Sequence, residues 1–265
     1  YFIHQRDEGP IRRHYTCAHC GATRDDPATP EDIERFKSFE AKGMHYHLAF
    51  ERVVPEENLF ADRIRKMLEL YTPRSLYALV TITVKGDTLF HTPSEQRVYS
   101  LLLLHLLDRG TSLYASAAEP ARLTRHKQFV EFNLWHAMEI AATALGEIPA
   151  LDLADSPQAV LDSETPKAWV GKAIARRFAE EGPRLSAALV LPAPPSRHIA
   201  IWALGYFWGA WILKRAPVAK LVPFLDPQTN DPTWERQRYN QAMTSAMTSL
   251  GKILRPDGHL VLAFQ

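Results

Sequence analysis

The chain has 265 residues, with 31 Lys and Arg against 30 Asp and Glu and a net charge of +1 when histidine is neutral. That length allows one large or two modest domains, and the balanced charge excludes a global basic field, so any nucleic-acid contact must be local. The two cysteines, both in Cys17-Ala18-His19-Cys20, exclude a disulfide framework and suit a reducing compartment.

The most apolar segment, Ile199 to Leu213, is short for a bilayer span, and no secretory leader pattern opens the chain. A protein of the cytoplasm without membrane attachment is expected. Because the chain starts at Tyr1 and ends one residue after the apolar run His259 to Phe264, it reads as a fragment or a processed chain.

Tyr1 to Arg13 is short and mixed, with Gly9-Pro10 as a turn, and with His14-Tyr15-Thr16 it fits a hairpin leading to Cys17. Cys17-x-x-Cys20 followed by Gly21 has the form of one zinc knuckle: the spacing lets two thiolates reach one tetrahedral ion, and glycine permits the tight turn behind them. Structural zinc needs four ligands. His14, His19, His45 and His47, or a cysteine pair upstream of Tyr1, are candidates to complete the set; the alternative is a relic of a zinc site.

Thr29-Pro30-Glu31-Asp32 predicts a helix start with Gly43 as its stop, and Ile33, Phe36 and Phe39 as its apolar stripe. His45-Tyr46-His47 places both imidazoles on one face if extended, as a metal pair or a half-buried strand end. From Leu59 the pattern is helical: Phe60, Ile64, Met67, Leu68 and Tyr71 recur at helical spacing, opposite Arg63, Arg65 and Lys66. Thr72-Pro73 and Thr92-Pro93-Ser94-Glu95 start two further helices. The first buries Leu76, Leu79 and Val80; the second carries Val98, Leu101, Leu102, Leu104 and Leu106 and stops at Gly110.

Arg122, Arg125, His126 and Lys127 form a basic loop cluster, which is either solvated surface or a phosphate contact. A helix is expected from Phe129 to Leu145, carrying Phe132, Trp135 and Met138, and a linker from Leu151 to Pro166. Trp169 to Glu180 reads as an amphipathic helix with Arg176 and Arg177 outward.

The apolar run Ala187 to Leu191 closes on Pro192-Ala193-Pro194-Pro195-Ser196, a buried strand that must stop. An aromatic helix follows with Trp202, Tyr206, Phe207, Trp208 and Trp211. A long helix from Trp234 to Leu254, a break at Arg255-Pro256-Asp257-Gly258 and the strand His259 to Phe264 complete the βαβ order of a parallel sheet. Ligands of open α/β sheets sit beyond the carboxyl ends of such strands.

The run Leu250-Gly251-Lys252-Ile253-Leu254-Arg255-Pro256-Asp257-Gly258-His259-Leu260-Val261 resembles the late helix, turn and strand of S-adenosylmethionine-dependent methyltransferases. Tyr15-Thr16-Cys17-Ala18-His19-Cys20-Gly21 with Pro30 to Arg35, and Glu69-Leu70-Tyr71-Thr72-Pro73-Arg74-Ser75-Leu76, are similar to stretches of the zinc-ribbon-containing DNA methylases. That resemblance implies an α/β fold: part of a Rossmann-like methyltransferase sheet with a helical insertion and a half zinc ribbon. It implies a zinc-ribbon-like segment over 1–50, the insertion over 51–150 and part of the methyltransferase domain over 151–265.

It also implies methylation of an exocyclic amine of DNA, adenine-N6 or cytosine-N4, with S-adenosylmethionine as donor, DNA as partner and zinc on Cys17 and Cys20. In such enzymes an Asp-Pro-Pro-Tyr motif accepts the amine hydrogens and stacks on the flipped base. Here that motif reads Ala193-Pro194-Pro195-Ser196, so the resemblance implies an incomplete or impaired enzyme. The glycine-rich donor loop of the family has no counterpart, Gly205 and Gly209 lying in a helical pattern; an upstream segment or a partner chain would carry it. The alternative is a non-catalytic DNA-binding or assembly subunit that touches phosphates through Arg122, Arg125 and Lys127. In a third reading the aromatic run Trp202 to Trp211 is an interface for a donor-binding partner.

Overall fold

A computed structural model of the chain describes residues 1–148, 152–153, 167–168, 187–190, 198–226, 232–252 and 254–261. These form two compact units, Tyr1–Glu147 with Trp202–Pro227, and Ile148–Ile201 with Gln228–Gln265. The architecture is mixed α/β.

The first unit opens with β1 (Phe2–Gln5) and β2 (Gly9–Thr16), the hairpin expected ahead of Cys17, and adds β3 (Thr23–Pro27), a strand the sequence analysis does not anticipate. The β1–β2 turn is tight because Asp7 (φ 70°) and Gly9 (φ 103°) both take the left-handed region that glycine enters freely. A fourth strand, β4 (Gln128–Glu131), pairs antiparallel with β1, giving the order β3-β2-β1-β4. This corrects the expected helix from Phe129. Four residues carry too little periodicity to declare themselves, and β4 exists because β1 offers it a free edge.

Helix α1 (Pro30–Lys37) starts where predicted. The Thr29 hydroxyl accepts from the Asp32 N–H at 3.2 Å, and Asp32 returns the bond. It ends at Ser38, well before Gly43, which instead precedes α2 (Met44–Val53). His45 and His47 therefore lie on a helix, two residues apart, and point in different directions; the extended metal pair is overturned.

Next come α3 (Ala61–Leu68), α4 (Pro73–Leu89) and α5 (Pro93–Arg109), the last two capped by Thr72 and Thr92. Helix α3 buries Ile64, Met67 and Leu68, and α4 buries Leu76, Leu79 and Val80, as the stripes predict. Helix α5 has the expected start and stop but follows its expected stripe only at Leu106: it also buries Tyr99, Leu103 and Leu107, while Val98, Leu101 and Leu104 are exposed. Helix α6 (Leu134–Glu147) packs on α4 and α5.

The aromatic helix α7 (Ile199–Leu213) contributes Tyr206, Phe207 and Trp211 to the core of this unit, all three fully buried. The polar tips of Tyr206, Trp211 and the neighbouring Trp208 find partners. Tyr206 Oη donates to the Val53 carbonyl at 3.0 Å, Trp211 Nε1 to Thr83 Oγ1 at 2.9 Å, and Trp208 Nε1 to Tyr71 Oη at 2.9 Å. Burial without a partner would make each tip a liability; bonded, they fix the helix in register. Tyr206, Phe207 and Trp211 are core rather than partner interface.

In the second unit β5 (Asp152–Leu153) pairs parallel with β6 (Lys167–Ala168), and β7 (Ala187–Val190) parallel with β8 (Leu254–Leu260). Helix α8 (Pro232–Gly251) precedes β8. The parallel β7–β8 pair is the expected βαβ element. The strand starts earlier than expected: Ala187 faces Leu254 while Leu189 faces His259, so Arg255–Gly258 is accommodated inside β8 as an irregularity rather than before it. Pro256 supplies no ladder N–H, which accounts for the slip. The expected helix Trp169–Glu180 and most of the expected linker lie outside the described residues.

Candidate functional site

The β2–β3 hairpin presents Cys17 and Cys20 at its tip. Cys17 N–H donates to the Ala22 carbonyl and Gly21 N–H to the Cys17 carbonyl, both at 2.9 Å, with Gly21 at φ +69°. A side chain at residue 21 would be strained, which is why the motif ends in glycine. Backbone N–H groups of Cys20 and then His19, followed by the Cys20 thiol, favour the Cys17 thiolate and lower its pKa. The tip is thus shaped to hold sulfur as an anion.

Those residues fit half of a zinc site. Among the described residues no three His, Cys, Asp or Glu gather as a metal-ligand group. His14 is engaged elsewhere, stacked on Tyr1 at 4.5 Å, and His45 packs edge-on against Tyr77. With two ligands of the four that structural zinc takes, the described chain offers zinc a docking pair and no cage.

Ala193, Pro194, Pro195 and Ser196 lie outside the described residues. The described glycines offer nothing for the methyl donor. Only Gly9 and Gly21 have positive φ, each in a hairpin turn, whereas Gly205 and Gly209 lie within α7. A Cβ on Gly209 would meet Val218 Cγ1 at 2.7 Å, so that glycine serves close packing. The described residues do not fit S-adenosylmethionine.

The basic cluster is on the exposed stretch before β4. Arg122 pairs with Glu119 at 3.0 Å and Arg125 with Glu69 at 3.3 Å, while Lys127 is exposed and its carbonyl accepts from the Arg6 N–H. Exposed pairs of this kind are worth between zero and about 1 kcal/mol, so a phosphate can displace the carboxylates. The structure adds Arg6 to the neighbourhood: its Nε donates to the His126 carbonyl at 3.0 Å. Sequence reading missed Arg6 because 120 residues separate the two and only the β1–β4 pairing joins them.

A second unforeseen group is buried under the sheet. Glu131 of β4 forms ion pairs with His4 of β1 and with Arg74 Nε at 2.9 Å, and accepts from Thr72 Oγ1 at 2.9 Å. Burial would raise its pKa, but His4 and Arg74 outweigh that and hold it down to about 2. The His4 ring lies between Phe36 and Phe129. Glu131 thus binds β4, β1 and the start of α4 together, and it keeps Arg74 over the Phe2 ring beside a cleft of about 600 Å³.

No helix among the described residues is long and apolar enough to cross a membrane. No protein family, curated protein or solved structure matches the chain.

Proposed function

We propose that this chain is a diverged relative of the S-adenosylmethionine-dependent DNA amino-methyltransferases that no longer transfers methyl groups by itself. The observation that supports the reading is the parallel pairing of β7 with β8, the strand arrangement that the family resemblance implies; in the sequence Ala193-Pro194-Pro195-Ser196 follows β7, as the family's catalytic motif follows its strand. The Cys17–Cys20 tip supports it as a half zinc ribbon. The Rossmann-like sheet, the zinc and the DNA partner belong to this proposal.

An exocyclic amine must shed a proton as it gains a methyl group, and a positioned carboxylate is the acceptor. Ala193 provides none, and Ser196 offers no ring on which a flipped base can stack. Loss of a positioned proton acceptor costs roughly 10²–10⁴ in rate.

Calorimetric titration with S-adenosylmethionine, with and without duplex DNA, tests the reading. DNA binding with no saturable uptake of the donor is the expected result. Saturable donor binding would overturn the loss of function, and absence of both would remove the methyltransferase relation altogether. The reading as a DNA-binding or assembly subunit is favoured by one further observation: Arg122, Arg125 and Lys127 are exposed together on one stretch.

A further inference from the structure

A cavity of about 440 Å³ lies beside the β1–β2 turn, between that turn, the end of α1 and the chain entering α4. Its inner wall is buried and includes His4, Tyr71, Thr72, Ser112 and Phe129. Most polar groups there are already committed. His4 is ion-paired to Glu131, Thr72 donates to Glu131, and the Tyr71 hydroxyl donates to the Leu107 carbonyl at 2.9 Å.

Two donors lining the cavity are not committed. Ser112 is 3% exposed, and its hydroxyl has no hydrogen-bond partner. Arg6 Nη2 is likewise buried and without a partner. Native proteins rarely leave such groups unpaired, because desolvation without a bond is costly. The Arg6 side chain is held in place by neutral groups: Nε donates to the His126 carbonyl, and the guanidinium lies 5.4 Å over the Phe129 ring. No carboxylate pairs with it among the described residues. Burial and the nearby Arg125 both press against its charge, with Asp7 opposing them.

A guanidinium with one buried, unpaired N–H group and a buried, unpaired hydroxyl, both on residues that line the cavity, make a receptor for a compact oxyanion, which accepts from a guanidinium fork and a hydroxyl together. We propose that this cavity binds the phosphate group of a small phosphorylated molecule. The volume exceeds what one phosphate fills, which leaves room for the rest of such a ligand. At the rim, Glu69 is paired with Arg125, Lys37 is exposed, and Asp7 and Glu8 are exposed acids. Asp7 and Glu8 oppose any phosphate at the rim, but a DNA strand crossing the rim meets them with several charges where a small ligand brings one group, which favours the small ligand. This inference stands apart from the methyltransferase reading.

Titration of the full chain with inorganic phosphate, followed by calorimetry and by thermal unfolding, provides the test. Saturable binding with a rise in Tm is expected. Arg6→Gln should weaken it at least tenfold, Arg6→Lys less, and Ser112→Ala a few-fold. Ser112→Ala should leave the phosphate-free Tm unchanged or raise it, since its buried hydroxyl bonds nothing, and this keeps the test valid if Arg6→Gln fails to fold. No saturable binding by the folded chain, or binding undiminished in both Ser112→Ala and Arg6→Lys, would overturn the proposal. Displacement of phosphate by duplex DNA would overturn the assignment to a small ligand.

Discussion

Glu131 shows how one side chain sets a pH limit on the fold. Its carboxyl stands at about 2 in the folded chain against an ordinary 4.5. A group depressed on folding contributes stability that is fully present above the unfolded value and is lost as pH falls through the folded one. Urea unfolding should therefore show stability falling by on the order of 3 kcal/mol between pH 5 and pH 2. Glu131→Gln should cost about 3–5 kcal/mol at neutral pH, because it leaves His4 and Arg74 facing an uncharged amide, and should flatten the acid limb. An acid limb of equal steepness in that variant would place the titrating group elsewhere. At the hairpin tip the sign is set by N–H groups. Since Cys20 and His19 N–H favour the Cys17 thiolate, alkylation of Cys17 by iodoacetamide, located by mass spectrometry, should reach half its maximal rate at lower pH than an ordinary cysteine. A normal titration would remove the argument that the tip is prepared for metal.

Between elements, the contact that decides geometry is the crossing of α4 and α5 at Gly86. A Cβ there would lie 2.2 Å from Tyr99 Cζ, so the ring sits directly against the α4 backbone. Tyr99 Oη donates to the Ile82 carbonyl at 3.2 Å and so locks the approach. Gly86→Ala gains about 1 kcal/mol of helix propensity but overpacks the crossing, and a net loss of about 2 kcal/mol is expected. In a Tyr99→Val background the same change should become stabilising by up to about 1 kcal/mol, because only the propensity gain survives. Equal effects in both backgrounds would mean that the ring does not restrict the crossing. This crossing also explains why the buried face of α5 was illegible. Val98, Leu101, Leu102, Leu103, Leu104, Leu106 and Leu107 make the helix apolar on several sides, so periodicity could not choose among them, and a glycine on another helix did. The helix starts at Thr29, Thr72 and Thr92 were legible because a cap is built from four consecutive residues. Strand β4, the Glu131 group and the Arg6 donor were not, because each depends on strands more than 100 residues apart coming together. Of the candidate site, the cysteine tip could be read in advance for the same local reason as the caps.

For the whole molecule, a net charge of +1 limits how the proposed DNA partner could be held. Without a global field, affinity must come from few phosphates, and the count is measurable through counterion release. If Arg122, Arg125 and Lys127 each neutralise one phosphate, a plot of log K against log salt concentration should have a slope of about −2.7. Replacing any one of them with Ala should reduce the slope by about one unit and weaken binding equally for all sequences. The carboxylates of Glu119 and Glu69 compete for two of these cations, so Glu119→Gln should tighten binding without changing the number of phosphates engaged. A slope steeper than about −5 would require basic residues beyond this stretch. A slope indistinguishable from zero would mean that phosphates are not contacted, and the basic stretch would then be solvated surface held by its own acidic neighbours.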